Sequence, residues 1–447
     1  MKMLDKQTIL HTLGFDALTT MQEEMFEAGS NRGGVVLLSP TGSGKTLGYL
    51  LPAVNKIDVK LDALQVVVVT PTRELAQQSE EVLKSMKTGV RSLALYGGRP
   101  TMEEHRKIKD VKPQIVFATP GRLNDHLNKE NLNARGVSVL VIDEFDKCLE
   151  LGFQDEMNDL LKHFSNLYGC WLMSATDADE IPHFMNRLFK TYHKIDYLVV
   201  EEGQTESRLQ VCVVHSEQKD KLESLARLLT LIKGEAAIVF VSYRESVERV
   251  GKWLREQGFT AEMYHGGMEQ EWRERALYKF RSGAANVLVS TDLAARGLDI
   301  PEVRAIVHYH LPQKEEDYTH RNGRTARWEA EGTVYWLLGP TEQLPAFVNA
   351  ENVNEVSIAD VAQIRPTQPR YATIYIGRGK RDKLSKGDVL GFLCKKGGLR
   401  ADEIGRIDVG AHYAYVSVLR QRLKSVLRQV SGEKIKGMKT LIEEMRR

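Results

Sequence analysis

The sequence predicts an α/β protein: two doubly wound parallel-sheet domains in tandem, then a small α+β domain. Three observations predict it. Short runs that are apolar on both pleat faces alternate with helical patterns, as strands covered on both sides do. The alternation runs twice over similar lengths, with a break near residues 198–208. A stretch with two prolines in eight residues, Gln363 to Arg370, then sets off a strongly basic segment.

The first series contains Val35 to Leu38, Val66 to Val69, Ile115 to Phe117, Val137 to Ile142 and Trp171 to Met173. Helical stretches such as Arg73 to Met86 and Asp155 to Phe164 lie between or after them. The second series contains Val211 to Val214, Ala236 to Val241, Val287 to Val289 and Ala305 to Val307, and closes at Val356 to Asp360. The expected domains are therefore 1–200 and 201–362, with a linker over 363–370 and a third domain over 371–447. In the last, Thr373 to Gly377 and Ala414 to Val418 read as strands and Lys386 to Leu393 as a helix. A final helical pattern begins near Leu419.

Composition narrows the class. At about 150 residues per domain, 447 residues suit three domains. A 42% hydrophobic and 27% charged chain is neither disordered nor fibrous. No apolar stretch approaches the ~18 residues of a membrane helix, and the first residues lack the pattern of a signal peptide. The spacing of Cys148, Cys170, Cys212 and Cys394 fits neither a zinc site nor a disulfide framework. These features predict no membrane association, and buried thiols in the reducing cytoplasm. The net charge of +2 hides an uneven spread. Residues 371–447 carry 18 Lys and Arg against 8 Asp and Glu, a net of +10, which leaves −8 on residues 1–370. A basic module on a mildly acidic body suggests a polyanion-binding tail.

The chemistry concentrates at two places in the first series. Ser39-Pro40-Thr41-Gly42-Ser43-Gly44-Lys45-Thr46 lies between an apolar strand and a helix. Glycines let successive N–H groups turn toward phosphate oxygens, and the helix adds its positive end. Lys45 suits the β and γ phosphates, and the Thr46 hydroxyl suits magnesium. About 100 residues on, a strand delivers Asp143 and Glu144 to the sheet edge where open α/β sheets bind ligands. Asp143 would hold Mg2+, and Glu144 would polarise the attacking water.

At this point the sequence resembles the DEAD-box family of ATP-dependent RNA helicases over residues ~10 to ~360, with many motifs in family order. The resemblance implies two RecA-like domains, ATP and Mg2+ as cofactors, and RNA as partner. It implies that Phe15 and Gln22 address the adenine, Asp299 the ribose, and Arg324 and Arg327 the γ-phosphate as arginine fingers. Asp146, Ser174 and Thr176 would couple hydrolysis to strand separation. Pro71, Thr72, Arg73, Gly97, Gly98, Thr119, Gly121 and Arg122 in the first domain resemble RNA-backbone motifs, as do Arg244, Gln270, Arg273 and Thr291 in the second. Their hydroxyls, glycine-exposed N–H groups and guanidinium forks suit phosphate oxygens. Four positions depart from the family: Ser39 stands where Ala is usual, Phe145 where Asp-Glu-Ala-Asp has Ala, Asn322 where an aliphatic is usual, and Glu329 where a glycine is common.

The tail looks like the RRM-like RNA-binding domain of bacterial family members that act on large-subunit ribosomal RNA. Its cationic loops offer Arg378, Lys380, Arg381, Lys395, Lys396 and Arg400 to RNA, and Tyr375, Tyr413 and Tyr415 are candidates for base stacking. The resemblance thus implies a monomeric RNA-dependent ATPase that unwinds short duplexes in ribosomal RNA or ribosomal precursor particles. An ATP-gated RNA clamp or chaperone with little unwinding is the alternative.

Overall fold

Four fully buried valines make β2 (Val66–Val69) the clearest example of how this chain folds. Successive side chains of a strand point to opposite faces. Val66 and Val68 enter one apolar cluster, with Leu37, Leu50 and Phe117. Val67 and Val69 enter another, with Leu123, Leu140 and Leu172. The same division holds along Ile115–Ala118 and Val139–Ile142. A strand sandwiched this way must lie inside a sheet with helices on both faces, and each buried valine contributes roughly 1.5–3 kcal/mol.

The structure is a computed structural model. It describes residues 6–445 except 41, 99–100, 166, 177–181, 183–184, 186–188, 190, 199–208, 293–302, 324, 326–331 and 349–351. The first sheet joins β1 (Gly33–Leu38), β2, β3 (Ser92–Leu95), β4 (Ile115–Ala118), β5 (Val139–Ile142), β6 (Gly169–Ser174) and β7 (Tyr192–Asp196). Their order is β3-β4-β2-β5-β6-β1-β7, with every pairing parallel. The second sheet joins β8 (Leu209–His215), β9 (Ala237–Phe240), β10 (Ala261–Tyr264), β11 (Val287–Ser290), β12 (Ala305–His308), β13 (Gly332–Leu338) and β14 (Val353–Glu355). Its order, β10-β11-β9-β12-β13-β8-β14, is again wholly parallel. Counted from its own first strand, it repeats the order of the first sheet.

The tail is antiparallel. It contains β15 (Tyr371–Ile376), β16 (Ile404–Val409), β17 (Ala414–Leu419), a short hairpin of β18 (Lys434–Ile435) and β19 (Met438–Lys439), and β20 (Ile442–Glu444). The sheet order is β16-β17-β15-β20, and helices Lys386–Lys395 and Leu423–Gln429 supply Val389, Leu393 and Val426 to its core. A βαββαβ chain with this strand order is the split βαβ arrangement of RRM-like domains. Ser385 and Asp388 form a capping box that starts the first of these helices.

The described residues fall into two compact units, one with β1–β7 and one with β8–β20. Within the second unit, linker and tail are docked on the second sheet domain. Asn286 donates to the Thr367 carbonyl at 2.9 Å, Gln368 to that of Gly258 at 3.1 Å, and Arg420 to that of Ala284 at 3.3 Å. Cys148, Cys170 and Cys212 are buried free thiols, and Cys394 is partly exposed. Among the described residues, no helix is long and apolar enough to cross a membrane.

Candidate active site and nucleic-acid interface

β1 ends at Leu38, and the helix Lys45–Asn55 begins after six intervening residues. Gly42 and Gly44 take φ of +91° and +87°, which side chains rarely adopt. Gly44 is the helix N-cap and brings no side chain to it; the first N–H groups of a helix are where an anion binds. Lys45 is buried, its ammonium held on the carbonyls of Ser39 and Pro40. The unusual Ser39 is fully buried and donates to Ser43 Oγ at 2.7 Å, a bond inside the loop that alanine would lack. Thr41 lies outside the described residues.

Gln22 reaches this loop from the preceding helix, Thr20–Ser30. It is the third residue of that helix and completes a capping box: its Oε1 accepts from Thr19 N at 3.0 Å, and Thr19 Oγ1 accepts from Gln22 N at 3.3 Å. Its Nε2 donates to the Gly44 carbonyl at 3.2 Å. The amide is thereby fixed beside the loop with one N–H and one lone pair still free of these bonds. Phe15 is exposed.

Asp143 is buried just past β5, its Oδ1 accepting from Glu144 N and its Oδ2 from the Tyr49 hydroxyl, both at 3.0 Å. Burial raises its pKa, against the opposing pull of Lys45 and Tyr49. Glu144 sits at φ +48°, strained for a side-chain-bearing residue, and this turns the chain into the helix Phe145–Glu150. Phe145 points into the second core cluster beside Ile142, Cys148 and Leu172, so its extra volume is absorbed by packing. Asp146 accepts from Thr176 Oγ1 at 3.1 Å. Ser174 bonds instead within its own turn, to the Thr176 carbonyl and from its N–H, so the two hydroxyls have different partners.

The helix Arg73–Ser85 starts at Thr72, whose hydroxyl accepts from Leu75 N. Pro71 precedes it and is buried. The Arg73 guanidinium lies over Gly97-Gly98, where a Cβ on Gly98 would meet its central carbon at 3.0 Å. Thr119 caps the helix Pro120–Asn128, and Gly121 is exposed. Arg122 is engaged internally, with Glu104 Oε2 at 3.2 Å and Thr101 Oγ1 at 2.7 Å. Glu104 is itself buried and meets His126 at 3.0 Å. The sequence reading missed this carboxylate. The available signal was its four-residue spacing from Ile108, which places both on the inward face of one helix.

In the second unit, Arg244 opens the helix Arg244–Glu256, and its side chain approaches Gly266-Gly267. Gln270 opens the helix Gln270–Arg281 and bonds Glu274 at 3.3 Å. Arg273 is buried against Tyr264, donating to its hydroxyl at 3.0 Å. Thr291 follows β11 and is buried. Asp299, Arg324 and Arg327 lie outside the described residues. Arg321, which the sequence reading passed over, is buried and forked onto Asp292, with bonds to His308 at 3.0 Å and the His310 carbonyl at 2.7 Å. It pins the segment before Arg324 to the end of β11.

Lys380, Arg381, Lys395, Lys396 and Arg400 are exposed on the tail, and Arg378 pairs with Asp382 at 2.8 Å. The three tyrosines considered for base stacking face the helix Gln270–Arg281. Tyr413 donates to Glu274, Tyr415 packs against Tyr278 at 5.2 Å, and the Arg275 guanidinium lies over Tyr375 at 5.7 Å. Burial, assisted by Glu274, raises the Tyr413 pKa. These rings hold two domains together, which explains why an aromatic sheet face is hidden here.

Anion-ready loop, buried carboxylate and duplicated parallel sheet together define a P-loop ATPase of the tandem RecA-like class. Residues 19–184 match the DEAD/DEAH box helicase family, 220–329 the helicase conserved C-terminal domain, and 373–444 the DbpA RNA-binding domain. The chain is 33% identical over 439 residues to the ATP-dependent RNA helicase DbpA of Escherichia coli, covering 96% of this chain and 95% of that protein. It is 37% identical to the ATP-dependent RNA helicase CshA of Listeria monocytogenes over 76% of this chain and 65% of that one. Mss116p bound to single-stranded RNA and AMP-PNP superposes with a TM-score of 0.66 at 26% identity, over 76% of this chain and 73% of that one. Saccharomyces cerevisiae Dbp5 bound to RNA and ADP BeF3 shares the fold, with a TM-score of 0.68 at 22% identity over 80% and 95% of the two chains. The chain belongs to the DEAD-box ATP-dependent RNA helicases, enzymes that bind RNA and hydrolyse ATP.

The residues present fit a magnesium nucleotide. Thr46 and Asp143 both meet the Tyr49 hydroxyl, so two hard oxygen donors converge at one point beside the loop.

Proposed function

We propose that this enzyme opens short RNA duplexes locally and non-processively, and that its targets are ribosomal RNA elements remodelled during large-subunit assembly in the cytoplasm. One observation carries the reading: a nucleotide site and a basic tail matching the DbpA RNA-binding domain stand on one chain, whose whole length resembles a DbpA helicase. Lys45 and the loop N–H groups bind the phosphates, and Thr46 and Asp143 hold Mg2+. Glu144 orients and polarises the attacking water, and the arginines at 324 and 327 neutralise charge on the γ-phosphate. Mg2+, when bound, draws charge from the phosphate oxygens. Because these groups come from both sheet domains, hydrolysis requires closure over ATP. The arginines assigned to RNA in both domains then engage one strand. ATP and RNA favour the same closed state, so each tightens the other.

Backbone contacts carry little sequence information. Target choice therefore falls to the tail, whose exposed cations supply standing attraction. The test is phosphate release, with and without ribosomal RNA, by the full chain and by a chain ending at residue 370. RNA-stimulated turnover, weakened selectively for structured ribosomal RNA by the deletion, supports the reading. Turnover indifferent to RNA would sink it. Equal unwinding rates for short and long duplexes would exclude the local mode.

A further inference from the structure

The two groups that donate to Asp143 differ in kind. The Glu144 N–H is a backbone group that any residue at that position supplies. The Tyr49 hydroxyl comes from a separate element, the helix Lys45–Asn55, and among the described residues it is the only side chain that donates to Asp143. Tyr49 is wholly buried in the apolar cluster with Leu50, Ala76 and Leu83. Phenylalanine would fill that space with no polar atom to satisfy, so the hydroxyl serves no packing need, and burying one is costly unless it is bonded. Besides Asp143 it meets Thr46, on its own helix, and Ser79. Ser79, also buried and on the helix Arg73–Ser85, lies 3.2 Å away. A phenol has one proton and a carboxylate only accepts. Tyr49 therefore donates to Asp143, and Ser79 donates to Tyr49.

We propose that Tyr49 is a positioning residue for Asp143 and, through Ser79, ties that carboxylate to the helix that begins at Arg73. This deepens the function proposed above and rests on its assignments of Asp143 to the nucleotide's cation and Arg73 to RNA. Ser79 lies about 9 Å along the helix axis from Arg73, under two turns of rigid backbone. A shift of that helix when Arg73 takes a phosphate moves Ser79 with it. The Tyr49 hydroxyl follows, and the orientation of Asp143 responds.

The experiment measures binding of a fluorescent non-hydrolysable ATP analogue to the full chain. Mg2+ is titrated, and binding is repeated with a single-stranded RNA oligonucleotide. Thermal unfolding is recorded alongside. Tyr49→Phe is expected to raise the Mg2+ midpoint about tenfold, the effect of removing a hydrogen bond to a charged group. Ser79→Ala is expected to keep that midpoint within about twofold and to cut the RNA-induced tightening of the analogue about threefold, less than a full bond because Asp143 keeps its donor. An unchanged midpoint in Tyr49→Phe, with only the unfolding temperature lowered, would overturn the positioning role. Wild-type coupling in Ser79→Ala would overturn the tie, and it decides alone if Tyr49→Phe cannot be recovered folded. If the unaltered protein shows no RNA-induced tightening, the shared-closure mechanism has failed, while the Mg2+ arm still reports on Tyr49.

Discussion

The two parallel sheets share one strand order but differ in what stands at their edges. After β1, six residues with two left-handed glycines lead to Lys45. After β8, six residues without glycine, Ser216 to Lys221, lead to the helix Leu222–Leu231. Lys221 is the N-cap, the place Gly44 takes in the first domain, and its ammonium is spent on the Leu337 carbonyl at 2.9 Å and on Glu342. Where Asp143 follows β5, Tyr309 follows β12, and Lys221 lies 5.3 Å from its ring. The same fold thus makes a ligand-ready site once and a closed structural contact once. Topology supplies the edge, and loop chemistry decides what the edge does.

Glu144→Gln should break the comparison most severely. Turnover is expected to fall about 10²–10⁴-fold, the usual loss of a general base, while RNA binding with ATP stays as tight or tightens. Weaker RNA binding with ATP would contradict shared closure. Lys45→Ala should lower ATP affinity about 100-fold or more, since it removes charge-assisted bonds to phosphate. Lys221→Ala, at the second sheet's edge, should leave ATP affinity unchanged and cost about 1–3 kcal/mol of stability in urea unfolding, discounted for the partly exposed Glu342. If Lys221→Ala also impaired ATP binding, the second edge would not be the closed contact described.

The contrast was partly legible in the sequence. The runs at β1, β2, β4, β5 and β6 stood out because both faces are buried, and glycines and carboxylates marked the first edge. Strands β3 and β10 did not stand out: each lies at a sheet edge, with two half-buried central residues and no continuous apolar run. Tyr49 and Ser79 escaped because each sits where a core residue belongs, and only the fold brings them to Asp143. Arg122 and Arg273 show the reverse. Their motifs marked them for RNA, but whether a guanidinium is free depends on partners such as Glu104 and Tyr264, far off in sequence.

A smaller effect should separate the sheets by pH. His308 ends β12, fully buried against Trp336 and Arg321, and burial, then Arg321, holds its pKa well below the ordinary value. The unfolded chain takes up a proton near pH 6.5 that the folded one refuses. Stability from this group is therefore complete above about pH 6.5 and is lost as pH falls toward the folded value, by at most about 1.4 kcal/mol per pH unit. Its counterpart on β5, Ile142, titrates nothing. Urea unfolding of the full chain at successive pH values should lose part of its acid sensitivity in His308→Gln, and equal sensitivity would remove His308 from this account.

The finest test concerns what the two edges share. Arg73 and Arg244 each open a thirteen-residue helix after the second strand of their sheet, and each reaches a Gly-Gly pair just beyond the third. A threonine, Thr119 or Thr291, follows the fourth strand in both. If this repeated set grips one RNA backbone, Arg73→Ala and Arg244→Ala should each weaken binding in the ATP state about tenfold, across sequences alike. Each should also lower the salt slope by about one. Loss from only one variant would mean that the second domain repeats the geometry of the first without its RNA contact. Equal losses would mean that duplication, which the nucleotide site abandoned, was kept where a repeating phosphate backbone can use it.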